Sequence, residues 1–314
     1  MAQVSIARLF EENREKLKLE WIAGSSGGAR TLDSELTKDS SRGLIGHLNF
    51  NHPNLIQVLG ASEVAYLNGL GAASCRSLLE NAATRDLGCF IVAGAEQLPP
   101  PLVAVAEATG TPLFCSPLAS VELMWMLRPY LARALAESTT AHGVLLDVLG
   151  MGVFITGVSG VGKSELALEL ISRGSGLVAD DVVEIYRIGP ETLEGRCPDL
   201  LKDFLEVRGL GVLNIRTIFG EAALRPRKNI KLIVHLEKPA GGEGAPMERL
   251  PLNAGSETIM GVNIRRVTIP VAAGRNLAVL TEAAVRNYVL QLRGFDGTQE
   301  FVSRQSEQMK QRDK

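Results

Sequence analysis

Gly157-Val158-Ser159-Gly160-Val161-Gly162-Lys163-Ser164 fills every fixed position of G-x-x-x-x-G-K-[ST], a phosphate-binding loop. Its flanks suit it. Val153-Phe154-Ile155-Thr156 reads as a short buried strand, and Ser164 to Ile171 as an amphipathic helix. Glycines let backbone N–H groups wrap a polyphosphate, and the N-terminus of the following helix adds its positive end. Lys163 would reach the terminal phosphates and the Ser164 hydroxyl would hold Mg²⁺. The whole loop, Gly157, Val158, Ser159, Gly160, Val161, Gly162, Lys163 and Ser164, is therefore the expected nucleotide site.

A chain of 314 residues is long for one core and comfortable for two domains. A formal charge of −2 offers no basic surface, so nucleic acid is not expected as a partner. No apolar run reaches membrane-spanning length, and Met1 to Lys18 lacks a signal-peptide pattern. A cytoplasmic protein without a membrane partner is expected. Cys75, Cys89, Cys115 and Cys197 have no paired spacing, and read as small core residues in a reducing compartment.

The two halves differ in texture, and the expected division is 1–135 and 136–314. In the first half, Leu55 to Leu59, Phe90 to Ala93 and Leu113 to Cys115 read as buried strands. Helical patterns follow at Val64 to Asn81, Pro101 to Ala108 and Ser120 to Leu135. That alternation predicts a small α/β domain with a largely parallel sheet and no catalytic motif of its own. Residues 23–43, rich in Gly, Ser and Thr, are expected as a surface loop. Glu137-Ser138-Thr139-Thr140 is a plausible hinge. Beyond it, Ile230 to Leu236 and Val262 to Val271 read as strands and Leu277 to Leu292 as a helix. Gly241 to Gly244 reads as a flexible insertion, and Thr298 to Lys314 as a fraying tail.

The rest of the site must say which kind of phosphate-loop protein this is. A guanine-specificity pattern is missing after the loop, and no strand ends in the adjacent Asp-Glu of motor ATPases. Instead Leu177-Val178-Ala179 ends in Asp180-Asp181, 17 and 18 residues beyond Lys163. Neighbours on an extended strand point to opposite faces, so only one of the pair should look into the site. A carboxylate there could take a proton from an attacking hydroxyl; a solvated turn or a helix cap is the plainer reading. Glu206-Val207-Arg208-Gly209-Leu210-Gly211 fits either a backbone brought close to a ligand, with Glu206 on Mg²⁺, or a strand with an exposed ion pair. His142 alone reads as a surface or capping residue. His235 reads as a core or edge histidine, and His47 and His52 take no role.

Taken in order, these stretches resemble the bacterial HPr kinase/phosphorylase family. The match runs from His142-Gly143-Val144-Leu145-Leu146-Asp147 through the loop, Ala179-Asp180-Asp181 and Glu206 to Gly211. It ends in Pro270-Val271-Ala272-Ala273-Gly274-Arg275-Asn276-Leu277. The resemblance implies a phosphate-loop kinase domain of the HPr kinase/phosphoenolpyruvate carboxykinase-like type behind the N-terminal α/β domain. It implies phosphoryl transfer from ATP, or pyrophosphate, to a serine of the phosphocarrier protein HPr or a paralogue. It also implies the reverse attack by inorganic phosphate on phosphoseryl-HPr, giving pyrophosphate.

Carried onto this chain, the resemblance makes Lys163 the residue that steadies charge and Asp181 the proton acceptor and donor. His142 becomes an active-site histidine, Arg249 the candidate active-site arginine, and Ser164 with Glu206 the Mg²⁺ ligands. Pro270 to Arg275 corresponds to a loop used chiefly for dephosphorylation, with Ala272 and Ala273 where charged or rigid residues often stand. A homo-oligomer, typically a hexamer, is implied as well. A small-molecule kinase and an ATP-sensing module without transfer are the alternatives.

Overall fold

The computed structural model describes residues 3–33, 43–51, 54–83, 87–94, 97–238 and 255–312, with side chains described to residue 305. Among these the chain divides into two compact units, Met1–Glu137 and Ser138–Lys314.

The first unit opens with β1 (Gln3–Ser5), α1 (Ile6–Leu17), β2 (Glu20–Ala23), β3 (Thr31–Asp33), β4 (Ile45–His47) and β5 (Ile56–Leu59). It continues with α2 (Ala61–Gly69), α3 (Ala72–Ala82), β6 (Cys89–Ala93), α4 (Pro100–Thr109), β7 (Leu113–Ser116) and α5 (Ser120–Ala134). The main sheet has the order β2-β7-β6-β5-β4. It is parallel from β4 to β7, with β2 antiparallel at one edge. Every residue of β5 and β6 is buried, Gln57 of β5 included, which explains why their runs are otherwise apolar: helices cover both faces. Val58, Ile91 and Phe114 pack with α1 and α5, while Phe90, Val92 and Leu113 pack with α2 to α4.

Two sequence expectations need correction here. The single helix over Val64 to Asn81 is two, α2 and α3, because Gly69-Leu70-Gly71 interrupts the turn and Leu70 is extended. Residues 23–33 are structured rather than loop: a 3₁₀ turn, Ser25–Ala29, buries Gly27 and Gly28 before β3. A Cβ on Gly27 would lie 2.0 Å from the Gly110 carbonyl oxygen, so that glycine serves close packing and not flexibility. Residues 34–42 lie outside the described residues.

The second unit begins β8 (Glu137–His142), β9 (Val144–Val148), β10 (Met151–Gly157), α6 (Lys163–Ser172), β11 (Gly176–Ala179), β12 (Val182–Gly189) and β13 (Thr192–Arg196). A hairpin of β14 (Phe204–Val207) and β15 (Gly211–Asn214) leads to α7 (Ile215–Phe219). Then come β16 (Arg227–Glu237), β17 (Gly255–Ile259), β18 (Val262–Pro270), α8 (Leu277–Leu292) and α9 (Gly297–Arg312). Among the described residues the large sheet runs β11-β9-β10-β16-β13-β12-β8, with β18 and then β17 also joined through β16.

Alternation along β10 and β16 sorts the core into two layers. Val153, Ile155, Leu232, Val234 and Leu236 meet Leu166, Leu170 and Ile171 of α6 and Val285 of α8. Phe154 and Ile233 face the other way, against Ile185 and Leu193. Since β10 and β16 are parallel, the loop leaving β10 stands at the carboxyl end of a buried strand, where α/β sheets bind ligands.

Glu137 to Thr140, expected as a hinge, holds the boundary between the two units and also forms the exposed first part of β8, paired with β12. The β-branched threonines suit an extended backbone. Thr298 to Lys314 does not fray from its start: α9 forms because the Asp296 carboxylate accepts from the N–H groups of Thr298 (3.0 Å) and Gln299 (3.2 Å). Glu300 and Arg304 add an ion pair one turn apart. The insertion at 241–244 lies outside the described residues.

Candidate active site

The loop begins where β10 stops. Gly157 has φ 145°, and a Cβ there would meet the Leu236 carbonyl oxygen of β16 at 2.6 Å, so the exit from the strand is open only to glycine. The helix α6 starts at Lys163, directly after Gly162. Its first N–H groups lack carbonyl partners within the helix and form the positive end of the loop. Lys163 Nζ donates to the carbonyls of Gly157 (3.1 Å) and Val158 (3.3 Å), which folds the lysine back along the loop.

A cavity of about 160 Å³ lies against this loop. Ser159, Gly160, Gly162, Lys163, Ser164 and Glu165 form one side; Asp180, Asp181, Glu206 and Arg208 form the other. The structure thus brings together most of the residues expected from the sequence.

The two aspartates correct the expectation that only one would look in: both line the cavity. The strand β11 ends at Ala179, and Asp181 takes a left-handed backbone, φ 62°. The alternation rule holds only for extended residues. Asp180 is 6% exposed. Its Oδ1 accepts from Ser164 Oγ at 3.3 Å and its Oδ2 from the Glu206 N–H at 2.8 Å. Burial raises its carboxyl above the ordinary range, against opposing hydrogen bonds from the Glu206 and Asp181 backbones and Ser164. The Asp181 side chain is 71% exposed; His142 Nδ1 lies 3.8 Å from its Oδ1, and the Gly143 N–H donates to its carbonyl at 3.0 Å. One carboxylate holds the site together from within, and its neighbour stands at the mouth beside a histidine.

Glu206 and Arg208 come from the hairpin. Leu205 and Val207 are buried, so Glu206 is turned outward between them. The Asp203 carboxylate, 2.7 Å from Arg216 Nε, and its carbonyl, which accepts from the Ile215 N–H at 2.9 Å, brace the hairpin base. Sequence reasoning gave Asp180 and Arg208 no role. The signal for Asp180 was its place flush against an apolar strand; for Arg208 it was a cation between a buried valine and Gly209.

The remaining expectations sort cleanly. Pro270 to Arg275 does not line the cavity; it ends in Asn276, which caps α8 through the Val279 N–H (2.8 Å) and donates to Glu169 of α6 (3.1 Å). His235 shares a 2.9 Å hydrogen bond with Thr156, and its pKa is lowered by burial and then by Arg266, as for a structural neutral imidazole. His47 lies 3.3 Å from Glu63. Burial pushes the Cys197 thiol up to about 11, away from reactivity. Arg249 and His52 lie outside the described residues.

Among the described residues no three His, Cys, Asp or Glu side chains close on one point. The side chains that line the cavity offer hard oxygens, among them the Ser164 hydroxyl, 3.3 Å from Asp180 Oδ1, and the carboxylate of Glu206. That set suits Mg²⁺, which takes few protein ligands and completes its shell with phosphates and water, and does not suit zinc.

Two family models match most of the chain: HPr Serine kinase N terminus over residues 4–131, and HPr Serine kinase C-terminal domain over residues 133–305. The HPr kinase/phosphorylase of Nitrosomonas europaea is 61% identical over 309 residues, covering 98% of this chain and 96% of the relative. That of Chromobacterium violaceum is 54% identical, covering 97% and 95%. A solved HPr(Ser) kinase/phosphatase from Coxiella burnetii is 36% identical, with a TM-score of 0.46, over 52% of this chain and 98% of its own.

Proposed function

This chain belongs to the HPr kinase/phosphorylase family, and from that premise we propose that it is a bifunctional protein-serine kinase/phosphorylase. It moves a phosphoryl group from ATP, or pyrophosphate, to a serine of the carrier protein HPr. It also removes that group by attack of inorganic phosphate, releasing pyrophosphate.

The observation that carries the reading is the placement of Asp181. A carboxylate at the rim of a phosphate cavity, 71% exposed, can be reached by a serine on another protein. A small-molecule kinase needs an enclosed acceptor pocket. In the forward direction Asp181 accepts the serine proton as the oxygen attacks; in reverse it returns a proton to the departing serine oxygen. His142 orients that carboxylate from 3.8 Å. Lys163 and the loop N–H groups bind the phosphates, and Arg249 is the family's further active-site cation. Ser164 and Glu206 would hold Mg²⁺, which would supply neutralisation of phosphate charge.

No described helix is long and apolar enough to cross a membrane, and a cytoplasmic location is part of the proposal. So is a homohexamer. Exposed Leu290 and Leu292 on α8, Phe295, and Phe301 on α9 support contacts between copies through this unit.

The test mixes purified protein, Mg²⁺ and HPr with ATP or pyrophosphate and weighs HPr by intact-mass spectrometry. One phosphate gained on a serine, then lost with release of pyrophosphate when phosphate is added, is the expected result. No gain while ATP is bound would remove HPr as the acceptor.

A further inference from the structure

A second cleft, of about 460 Å³, lies between the β17–β18 ladder and α8 and shares no lining residue with the nucleotide cavity. Alternation along β18 decides what it contains. Arg265 pairs with Leu232 and stands on the face of Val267 and Ile269, whose layer holds Val285 and Tyr288 of α8. Arg266 pairs with Ile233 and takes the opposite face, where Glu257 Oε2 lies 3.4 Å from its Nη1.

Arg265 is left without a counter-ion. Its Nε is buried with no hydrogen-bond partner, as is that of Arg266, but Arg265 has no ion pair among the described residues either. A buried donor without a partner is unfavourable, and an acceptor arriving in the cleft would relieve it. Around it stand neutral groups. Ser256, directly across the ladder from Arg265, offers a hydroxyl; Asn287 and Gln291, one turn apart on α8, offer amides, and Tyr288 and Thr298 offer hydroxyls. No carboxylate lines the cleft, and Val267 and Ala284 add a short apolar wall. One unpaired cation among neutral hydrogen-bonding groups, in a space of small-ligand size, is a receptor for a small organic anion.

The distribution of charge selects the kind of anion. Phosphate sites draw on an open helix N-terminus or on several cations. Here the start of α9 is already taken, because the Asp296 carboxylate accepts from the N–H groups of Thr298 and Gln299. What remains is one guanidinium, whose planar fork matches one carboxylate.

We propose that this cleft binds a small hydroxy- or oxo-carboxylic acid, with its carboxylate on Arg265 and its other oxygens on the amides and hydroxyls around it. The acid would tie β18 to α8, the two elements that Pro270 to Arg275 connects. Binding there does not depend on which protein accepts the phosphoryl group.

Calorimetric titration of the full chain, with the phosphate loop filled by Mg·ADP, uses pyruvate, lactate, malate and gluconate as probes. At least one should bind saturably with a Kd of about 1 mM or below. Sorbitol, which resembles gluconate without its carboxylate, should not bind. Arg265→Gln should weaken the bound acid by about tenfold or more, the worth of a charge-assisted hydrogen bond. Arg265→Lys should recover only part of that affinity, because an ammonium lacks the fork. Asn287→Ala, at an exposed position, should weaken binding by about threefold to tenfold and leave the fold intact.

Thermal unfolding separates a ligand site from a structural role. In the absence of acid, Arg265→Gln should keep the unfolding midpoint of the unaltered chain, since it removes an unpaired donor. With acid present it should lose the rise in midpoint that the unaltered chain shows. No binding of any of the four acids, or equal binding by Arg265→Gln, would overturn the proposal. A second copy of the chain seated on Arg265 would appear as no binding and would overturn it equally. Tighter, Arg265-dependent binding of glucose 6-phosphate than of every carboxylate would overturn the carboxylic-acid assignment in favour of a phosphate ester.

Discussion

Asp180 Oδ2 accepts a 2.8 Å hydrogen bond from the backbone N–H of Glu206, 26 residues further along the chain. Through that bond a buried carboxylate at the end of β11 sets the position of the hairpin that carries Glu206 and Arg208. Its other oxygen faces the Ser164 hydroxyl at 3.3 Å, so the hairpin and the start of α6 are tied to one side chain.

Asp180→Asn breaks that arrangement while nearly preserving its volume. The amide oxygen can keep the Glu206 N–H, but the NH₂ group then faces Ser164 Oγ and donates where the carboxylate accepted, so that hydrogen bond is reversed and the hydroxyl proton is turned away. Transfer to HPr should fall by about 10²-fold or more, in the range for misplaced catalytic groups. Steady-state kinetics by intact mass would show it; a loss under threefold would make the anchor dispensable.

Stability should move differently from activity in the same variant. The Asp180 carboxyl has a raised pKa in the folded chain, caused first by burial. Its contribution to stability is therefore fully present below the ordinary carboxylate pKa and is lost as pH rises through the raised one. Asparagine carries no such titration. Denaturant unfolding of both proteins across that range should show Asp180→Asn gaining on the unaltered chain as pH rises. A difference independent of pH would contradict the burial of a charged Asp180.

Asp181→Asn removes the proposed proton acceptor at the mouth of the cavity and leaves the buried anchor intact. Phosphoryl transfer in both directions should drop by about 10²- to 10⁴-fold, the usual contribution of a positioned acid–base group. Calorimetric titration with Mg·ATP should find nearly unchanged affinity. Retained transfer would favour a nucleotide sensor, or another base.

Gly157→Ala tests the exit from β10. Alanine must adopt φ near 145° and place its Cβ 2.6 Å from the Leu236 carbonyl oxygen. The expected loss is about 1–3 kcal/mol of unfolding free energy from backbone strain, with steric overlap adding to it. Nucleotide affinity should fall as the loop shifts. An unchanged unfolding midpoint would mean that β16 gives way more easily than its packing suggests.

Much of this site was legible before any coordinates. The loop could be read because its glycines and its Lys163-Ser164 end answer to local demands: positive φ, close backbone approach, or a helix start. Asp181, Glu206 and His142 were reached through resemblance. Their residue types alone left bland readings open. The failures had local causes. Gly69-Leu70-Gly71 split a helix whose apolar pattern ran on through it, and Asp296 built a helix whose polar sequence looked like a tail.

From its own sequence this chain declared a phosphate loop between a buried strand and a helix, the buried strands β5, β6, β7, β11 and β16 and the course of α8. Those features follow from periodicity and backbone chemistry within a few residues. Only the tertiary structure decided which of two adjacent aspartates is buried as an anchor and which stands exposed at the cavity mouth. It also decided that Arg208 rests against Gly160, 48 positions away. Burial and contact across tens of residues depend on how strands stack and where one residue, Asp181, turns left-handed, and no local pattern encodes either.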